Sequence, residues 1–261
     1  MEYDLSNFYK DLKLKFNKSN GKEILLFLMG EFSKTISLKD ERAIIAVGNE
    51  LASFLRVKGQ TDFAYKIYKV IKKLVLKSYG FISKDYASLL INISNCHIVA
   101  KNYGLAIDVL YETENILNQL EDTQYLMASV YNNRSQAYRA KNMLDLAQKD
   151  IENALKIIEN KEKIAVSKIN LAEILTLKKK FADALVNANE AILYYEKNNL
   201  RLPHLANAYA TAANIYYNNK QYYTSAYYYE KALEVFDETV GEGPIKDILI
   251  KNLKQAKKKG I

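Results

Sequence analysis

The side chains that most often carry catalysis are scarce in this chain. Among its 261 residues there is one cysteine, Cys96, and there are two histidines, His97 and His204. A Cys–His pair can generate a thiolate nucleophile, and Cys96 and His97 are neighbours in sequence. Consecutive residues of a helix point in different directions, so on a helix these two cannot form a dyad. A single cysteine excludes an intramolecular disulfide and a Cys-based zinc site. Two histidines leave little material for other metal chemistry. The carboxylates are scattered without a close pair, and neither GxGxxG nor GxxxxGK[ST] occurs. The expectation is a chain without catalytic residues, cofactor or metal, and not an enzyme.

The elements that must position any functional side chain follow from composition. Nine glycines and two prolines are too few for the frequent turns of a sandwich or barrel. With 49% hydrophobic and 26% charged residues the chain can bury a large core. An all-α protein is the expectation. The net charge is +8, but the lysines are dispersed among acids, which predicts a solvated surface rather than a nucleic-acid stripe. The start, MEYDLSNFYK, lacks the basic and apolar regions of a signal peptide. The longest apolar run, ILLFLM at 24–29, is too short to span a bilayer. These features predict a cytoplasmic protein that contacts neither membrane nor specific nucleic acid.

Internal repetition organises the chain. Five segments, 48–74, 90–117, 131–157, 168–193 and 209–235, share one pattern. A small residue precedes a large one by one helical turn: Ala52/Leu55, Ser94/His97, Ser135/Tyr138, Ala172/Leu175 and Ala213/Tyr216. A second small residue follows: Ala64, Ala106, Ala147, Ala184 and Ser225. Four residues on stand Tyr68, Leu110, Ile151, Ala188 and Tyr229, and three further Ile71, Thr113, Ala154, Ala191 and Ala232. These last positions are spaced by 42, 41, 37 and 41 residues. Small residues let two antiparallel helices approach, and each hairpin leaves an apolar face for the next to cover.

The pattern resembles the tetratricopeptide repeat (TPR), with repeats lengthened to about 42 residues as in kinesin light chains and Gram-positive peptide-sensing regulators. The resemblance implies a right-handed superhelical solenoid of antiparallel helix pairs, read as one domain over 1–261. Residues 1–39 form a degenerate N-terminal helix pair, with Leu5, Phe8, Tyr9, Leu12 and Phe16 on one face of its first helix. Five repeats occupy 40–241. A C-terminal capping helix fills 242–261, started by Gly241, Gly243 and Pro244. Ile245, Ile248, Leu249, Leu253 and Ala256 line its inner face, and lysines line its outer one.

In TPR proteins, positions 2, 5, 6, 9 and 12 of the first helix line the concave groove. By that resemblance the groove residues here are Asn49, Ser53 and Arg56, then Asn92 and Asn95, then Asn132, Asn133, Gln136 and Arg139. Asn170 and Glu173, then Asn207, Asn214 and Tyr217, complete the set. A carboxamide offers donors and an acceptor and so can pair with a peptide backbone whatever its sequence. The expected function is a protein-interaction adaptor or scaffold that holds an extended peptide or a partner protein in the groove, with Arg56 and Arg139 as anionic anchors.

Two alternatives come from the same resemblance: a sensor of short signalling peptides acting on a separate effector chain, and a helical phosphatase-type regulator. About 40 residues precede the first clear repeat, and no recognition helix is evident in them. The tyrosine run at 216–229 predicts a core role for Tyr216, Tyr222 and Tyr229. Tyr217, Tyr223, Tyr227 and Tyr228 are left for a partner surface or a homodimer interface.

Overall fold

The computed structural model describes residues 2–200, 202–239 and 244–260. Every regular element among them is a helix. The order is α1 Leu5–Lys18, α2 Gly21–Leu38, α3 Glu41–Val57, α4 Thr61–Tyr79, α5 Lys84–Val99, α6 Tyr103–Leu117, α7 Gln124–Ala140, α8 Leu144–Ile157, α9 Lys161–Leu177, α10 Phe181–Lys197, α11 Pro203–Asn218, α12 Tyr222–Thr239 and α13 Pro244–Lys259. The predicted N-terminal pair is α1 and α2, the five repeats are the pairs from α3/α4 to α11/α12, and α13 is the terminal helix. Gly241 and Gly243 lie outside the described residues.

The chain forms two compact units, Met1–Ala137 and Tyr138–Ile261. In the first, α2 packs on α3, α3 on α4, α4 on α5 and α5 on α6, while α3 also meets α5. In the second, α8 packs on α9, and the series continues helix by helix to α13, with α9 also meeting α11.

One turn geometry closes all five hairpins. After α3, the Gly59 N–H donates to the Arg56 carbonyl and the Gln60 N–H to the Leu55 carbonyl, both at 2.9 Å. This is a Schellman stop, which needs a left-handed residue just past the helix. Gly59 supplies it with φ 74°. Lys101, Asn142, Lys179 and Lys220 occupy the same place with φ 61°, 59°, 59° and 61°. Their spacing repeats the 42, 41, 37 and 41 of the small residues. The carbonyls that accept the longer bond belong to Leu55, His97, Tyr138, Leu175 and Tyr216, the large residues of the pattern. The next carbonyl along, on Gln60, Asn102, Met143, Lys180 or Gln221, then accepts from the second small residue of its repeat. Turn and packing signature are thus locked in register.

The links between hairpins use side-chain caps instead. Asp40, Ser83 and Asn160 accept from the N–H groups of Ala43, Tyr86 and Lys163 at 3.0–3.1 Å. Each satisfies an amide that a helix start leaves orphaned.

The small residues sit where the helices touch. Ala52, Ala64, Ala106, Ala172, Ala184 and Ala213 are fully buried, as are Ser94 and Ser225. In the last hairpin the contact is direct, because Ser225 Oγ donates to the Ala213 carbonyl at 2.9 Å. Tyr68, Leu110, Ile151 and Tyr229 fill the flanking space and are likewise buried. Burying side chains of that size contributes about 1.5–3 kcal/mol each.

Candidate functional site

All the groove residues named from the sequence lie on the first helices of the hairpins. Asn49, Ser53 and Arg56 are on α3, and Asn92 and Asn95 on α5. Asn132, Asn133, Gln136 and Arg139 are on α7, Asn170 and Glu173 on α9, and Asn207, Asn214 and Tyr217 on α11. Asn207 and Asn214 are exposed, and the others are half-buried. Their surroundings differ between the two units.

In the first unit the polar face retains capacity for a ligand. Asn92 Nδ2 donates to Asn49 Oδ1 at 2.9 Å, an amide bridge from α5 to α3. Ser53 and the Tyr68 hydroxyl are 3.3 Å apart. Arg56 lies beside that hydroxyl, its Nε is buried without a hydrogen-bond partner, and no carboxylate among the described residues comes within ion-pair distance of it. Asn132 is partly committed to its own helix, donating to the Ala128 carbonyl at 3.0 Å. The amides of Asn95, Asn133 and Gln136 make no side-chain hydrogen bond to another described residue.

Sequence reasoning passed over one member of this face, Glu50. Adding the repeat spacings to 50 gives Asn92, Asn133 and Asn170. The residue therefore holds the position that three of the asparagines hold, and the signal was available. Its carboxylate is half-buried with no cation in ion-pair range among the described residues, and burial pushes its carboxyl up from the usual carboxylate range.

In the second unit Arg139, Glu173, Asn214 and Tyr217 are engaged. The Arg139 guanidinium forms an ion pair with Glu173, and Thr211 Oγ1 lies 3.5 Å from the same carboxylate. Asn214 Oδ1 accepts from the Tyr229 hydroxyl at 2.5 Å. Tyr217 packs edge-on against Tyr222 and lies under the Lys259 ammonium. Asn170 makes no side-chain hydrogen bond to another described residue.

Cys96 and His97 turn apart. The Cys96 thiol is buried against the Thr61 carbonyl, 3.7 Å away, and burial raises its pKa. His97 Nδ1 lies 2.7 Å from the Tyr65 hydroxyl, and burial lowers the imidazole pKa. Both shifts favour the neutral forms, the opposite of a thiolate–imidazolium couple. His204 is exposed and stacks near Tyr195. Among the described residues no three potential ligands gather where a metal could be held.

No family model matches the sequence, and no curated protein matches it. Solved structures do. A variant of nearly identical TPR-like repeats from a Podosopora anserina protein described as a kinesin light chain superposes with a TM-score of 0.59 at 15% identity, over 74% of this chain and 95% of that one. The apo form of RapI superposes with a TM-score of 0.65 at 16% identity, over 98% of this chain and 70% of that one. A Rap protein complexed with competence and sporulation factor gives 0.61 at 17% identity, over 82% and 60%. The fold is that of a tetratricopeptide-repeat protein.

The last tetratricopeptide repeat, α11/α12, carries the tyrosine run. Tyr229 is buried, Tyr216 and Tyr222 half-buried. Tyr228 stacks on Tyr216 with ring centroids 5.3 Å apart and meets Tyr227 edge-on. Ring contacts thus join Tyr216, Tyr227 and Tyr228 in one group and Tyr217 and Tyr222 in another, and Tyr223 and Tyr227 remain exposed at 78% and 52%. The terminal helix α13 docks on this repeat through Leu249 and Ala256, which are buried. Ion pairs of Lys246 with Asp237 and Lys257 with Glu230 flank that contact. Ile245 and Ile248, predicted for the inner face, are exposed at the start of the helix. Lys251, Lys254 and Lys258 face outward, as a solenoid end requires. No helix among the described residues is long and apolar enough to cross a membrane.

Proposed function

We propose that this chain is a non-catalytic binding module whose first-helix face takes an extended peptide segment of a partner protein. The observation that carries the reading is the row of half-buried polar side chains in the first unit whose hydrogen-bonding capacity the fold leaves unused. Asn95, Asn133, Gln136, Arg56 and Glu50 are its members. Of these, Arg56 Nε is buried without a partner, which costs stability that a ligand acceptor would offset, while the half-exposed amides can exchange water for a ligand's backbone groups. Amides engage a peptide backbone, so affinity would depend little on most ligand side chains. Each bond contributes only about 0.5–1.5 kcal/mol net, so several must act together. A Rap protein was crystallised with competence and sporulation factor. That likeness, at the level of fold, supports the version in which the ligand is a short signalling peptide and the output passes to a separate effector chain. Both versions use the same face.

The test is selection from a phage-displayed random dodecapeptide library, with the wild type beside an Asn95→Ala/Asn133→Ala/Gln136→Ala variant of unchanged circular dichroism. Selected peptides are then made synthetically and titrated by calorimetry. The expected result is micromolar binding to the wild type, weakened at least about tenfold in the variant. Equal affinity for both proteins would move the function off this face.

A further inference from the structure

The face of the first unit carries two opposite charges that do not meet each other or any other charge. Glu50 and Arg56 lie six residues apart on α3, roughly 9 Å along its axis, and flank Ser53 by about 60° on either side at 100° per residue. Arg56 is on the side of α5, where Asn49 accepts from Asn92. Glu50 is on the side of α1, where its charge acts on the Tyr9 hydroxyl. Both side chains are half-buried. Among the described residues neither has an opposite charge within ion-pair distance, and Arg56 Nε is buried with no acceptor. The positively charged lysines nearest in sequence, Lys58 and the residues of α4, do not relieve Glu50. Lys58 lies over the Phe54 ring, 5.6 Å from its centroid.

Removing one charge from water without pairing it is unfavourable. Here two are held so, of opposite sign, on one face and at a fixed separation. The side chains also diverge by about 120° around α3, so with charged ends about 5–6 Å from its axis they stand roughly 13 Å apart, which an extended peptide rising about 3.3 Å per residue covers in about four residues. Resting on the reading that this face binds a peptide, we propose that Glu50 and Arg56 select a segment carrying one cationic and one anionic group about three to five residues apart. The cation pairs with Glu50 on the α1 side and the anion with the Arg56 fork on the α5 side. A guanidinium takes a carboxylate through two parallel bonds, which orients the ligand as well as attracting it. Ser53, Asn92 and Asn95 lie between or beside the two charges and serve the intervening backbone.

The same dodecapeptide library tests this with charge reversals. Wild type should enrich mixed-charge peptides, Arg56→Glu peptides with two cationic groups, and Glu50→Lys peptides with two anionic groups. Should either reversal fail to fold by circular dichroism, Arg56→Gln and Glu50→Gln serve in its place. Each should then lose charge selection at its own end and weaken the wild-type peptide by at least about tenfold. Identical sequences enriched by wild type and variants would overturn the charge-pair inference. If those peptides still lose affinity in the Asn95→Ala/Asn133→Ala/Gln136→Ala variant, the binding face itself stands. If they do not, both readings fall.

Discussion

The hairpin turns make the most quantitative prediction. Lys101, Lys179 and Lys220 hold φ near 60° because the Schellman stop demands it, not because lysine favours it. A left-handed conformation costs an L-residue roughly 1–2 kcal/mol, since Cβ crowds the following carbonyl. Glycine escapes that strain but loses about 0.5–1 kcal/mol in backbone entropy on folding. The difference is a gain of about 0.5–1 kcal/mol for each Lys→Gly substitution. The three turns share no hydrogen-bond partner, so their effects should add to about 1.5–3 kcal/mol. The assay is urea unfolding followed by circular dichroism, with the midpoint of the Lys101→Gly/Lys179→Gly/Lys220→Gly protein compared with wild type at constant slope. Two controls fix the cause. Gly59→Ala should lose about 1 kcal/mol, because it imposes on the first turn the strain the others carry. Lys180→Gly, one residue later at φ −87°, should gain nothing. A triple variant no more stable than wild type would show that the left-handed residues carry no strain, and the account of the turns would fail.

Three further outcomes follow from the packing and the charges. Ala184→Leu forces a large side chain between α9 and α10 where no space exists, and should lower stability by at least about 1–3 kcal/mol, read from the same midpoint. Arg134 is 4% exposed and ion-paired with Glu114, so Arg134→Met should cost about 3–5 kcal/mol, and Arg134→Met/Glu114→Gln should recover part of it. Glu50 has a folded-state pKa above its unfolded value, so its stabilising protonated form is complete below the unfolded value and is lost as pH rises through the folded one. Glu50→Gln should therefore be more stable than wild type at pH 7 and lose that advantage at about pH 4. A gain equal at both pH values would exclude titration as its source.

The repeats were legible because the residues that define them answer to backbone geometry. Ala64, Ala106, Ala147, Ala184 and Ser225 have no room for a larger side chain, so their spacing survives while the sequence around them varies. The turns were less legible. Gly59 and, less strongly, Asn142 announce a left-handed position, whereas Lys101, Lys179 and Lys220 look like ordinary surface lysines. The candidate face was legible to the level of helix and register, but not to the level of side-chain partners. Arg139 and Glu173 are both on the expected face, and only the side-chain rotamers show that they neutralise each other. Glu50 was missed because attention fell on amides, although the repeat spacing leads back from Asn92 to it. Ile245 and Ile248 fit the inner stripe of α13 by periodicity, yet the start of that helix leaves them uncovered.

The engagement of the second unit's face bears on how long a ligand must be. A groove used along all five repeats would need accepting groups on every first helix, but Arg139, Glu173, Asn214 and Tyr217 are occupied by contacts within the protein. The open capacity lies on α3, α5 and the first part of α7, with α1 alongside α3 through the Phe16–Phe54 contact. Packed helices are spaced by about 8–10 Å. Crossing from α1 over α3 to α5 thus spans about 20 Å, which an extended chain covers in about six residues. Truncation of a selected dodecapeptide should accordingly leave affinity within about threefold down to a core of six or seven residues and abolish it soon after. Affinity that declines steadily from twelve residues downward would refute a site confined to these helices.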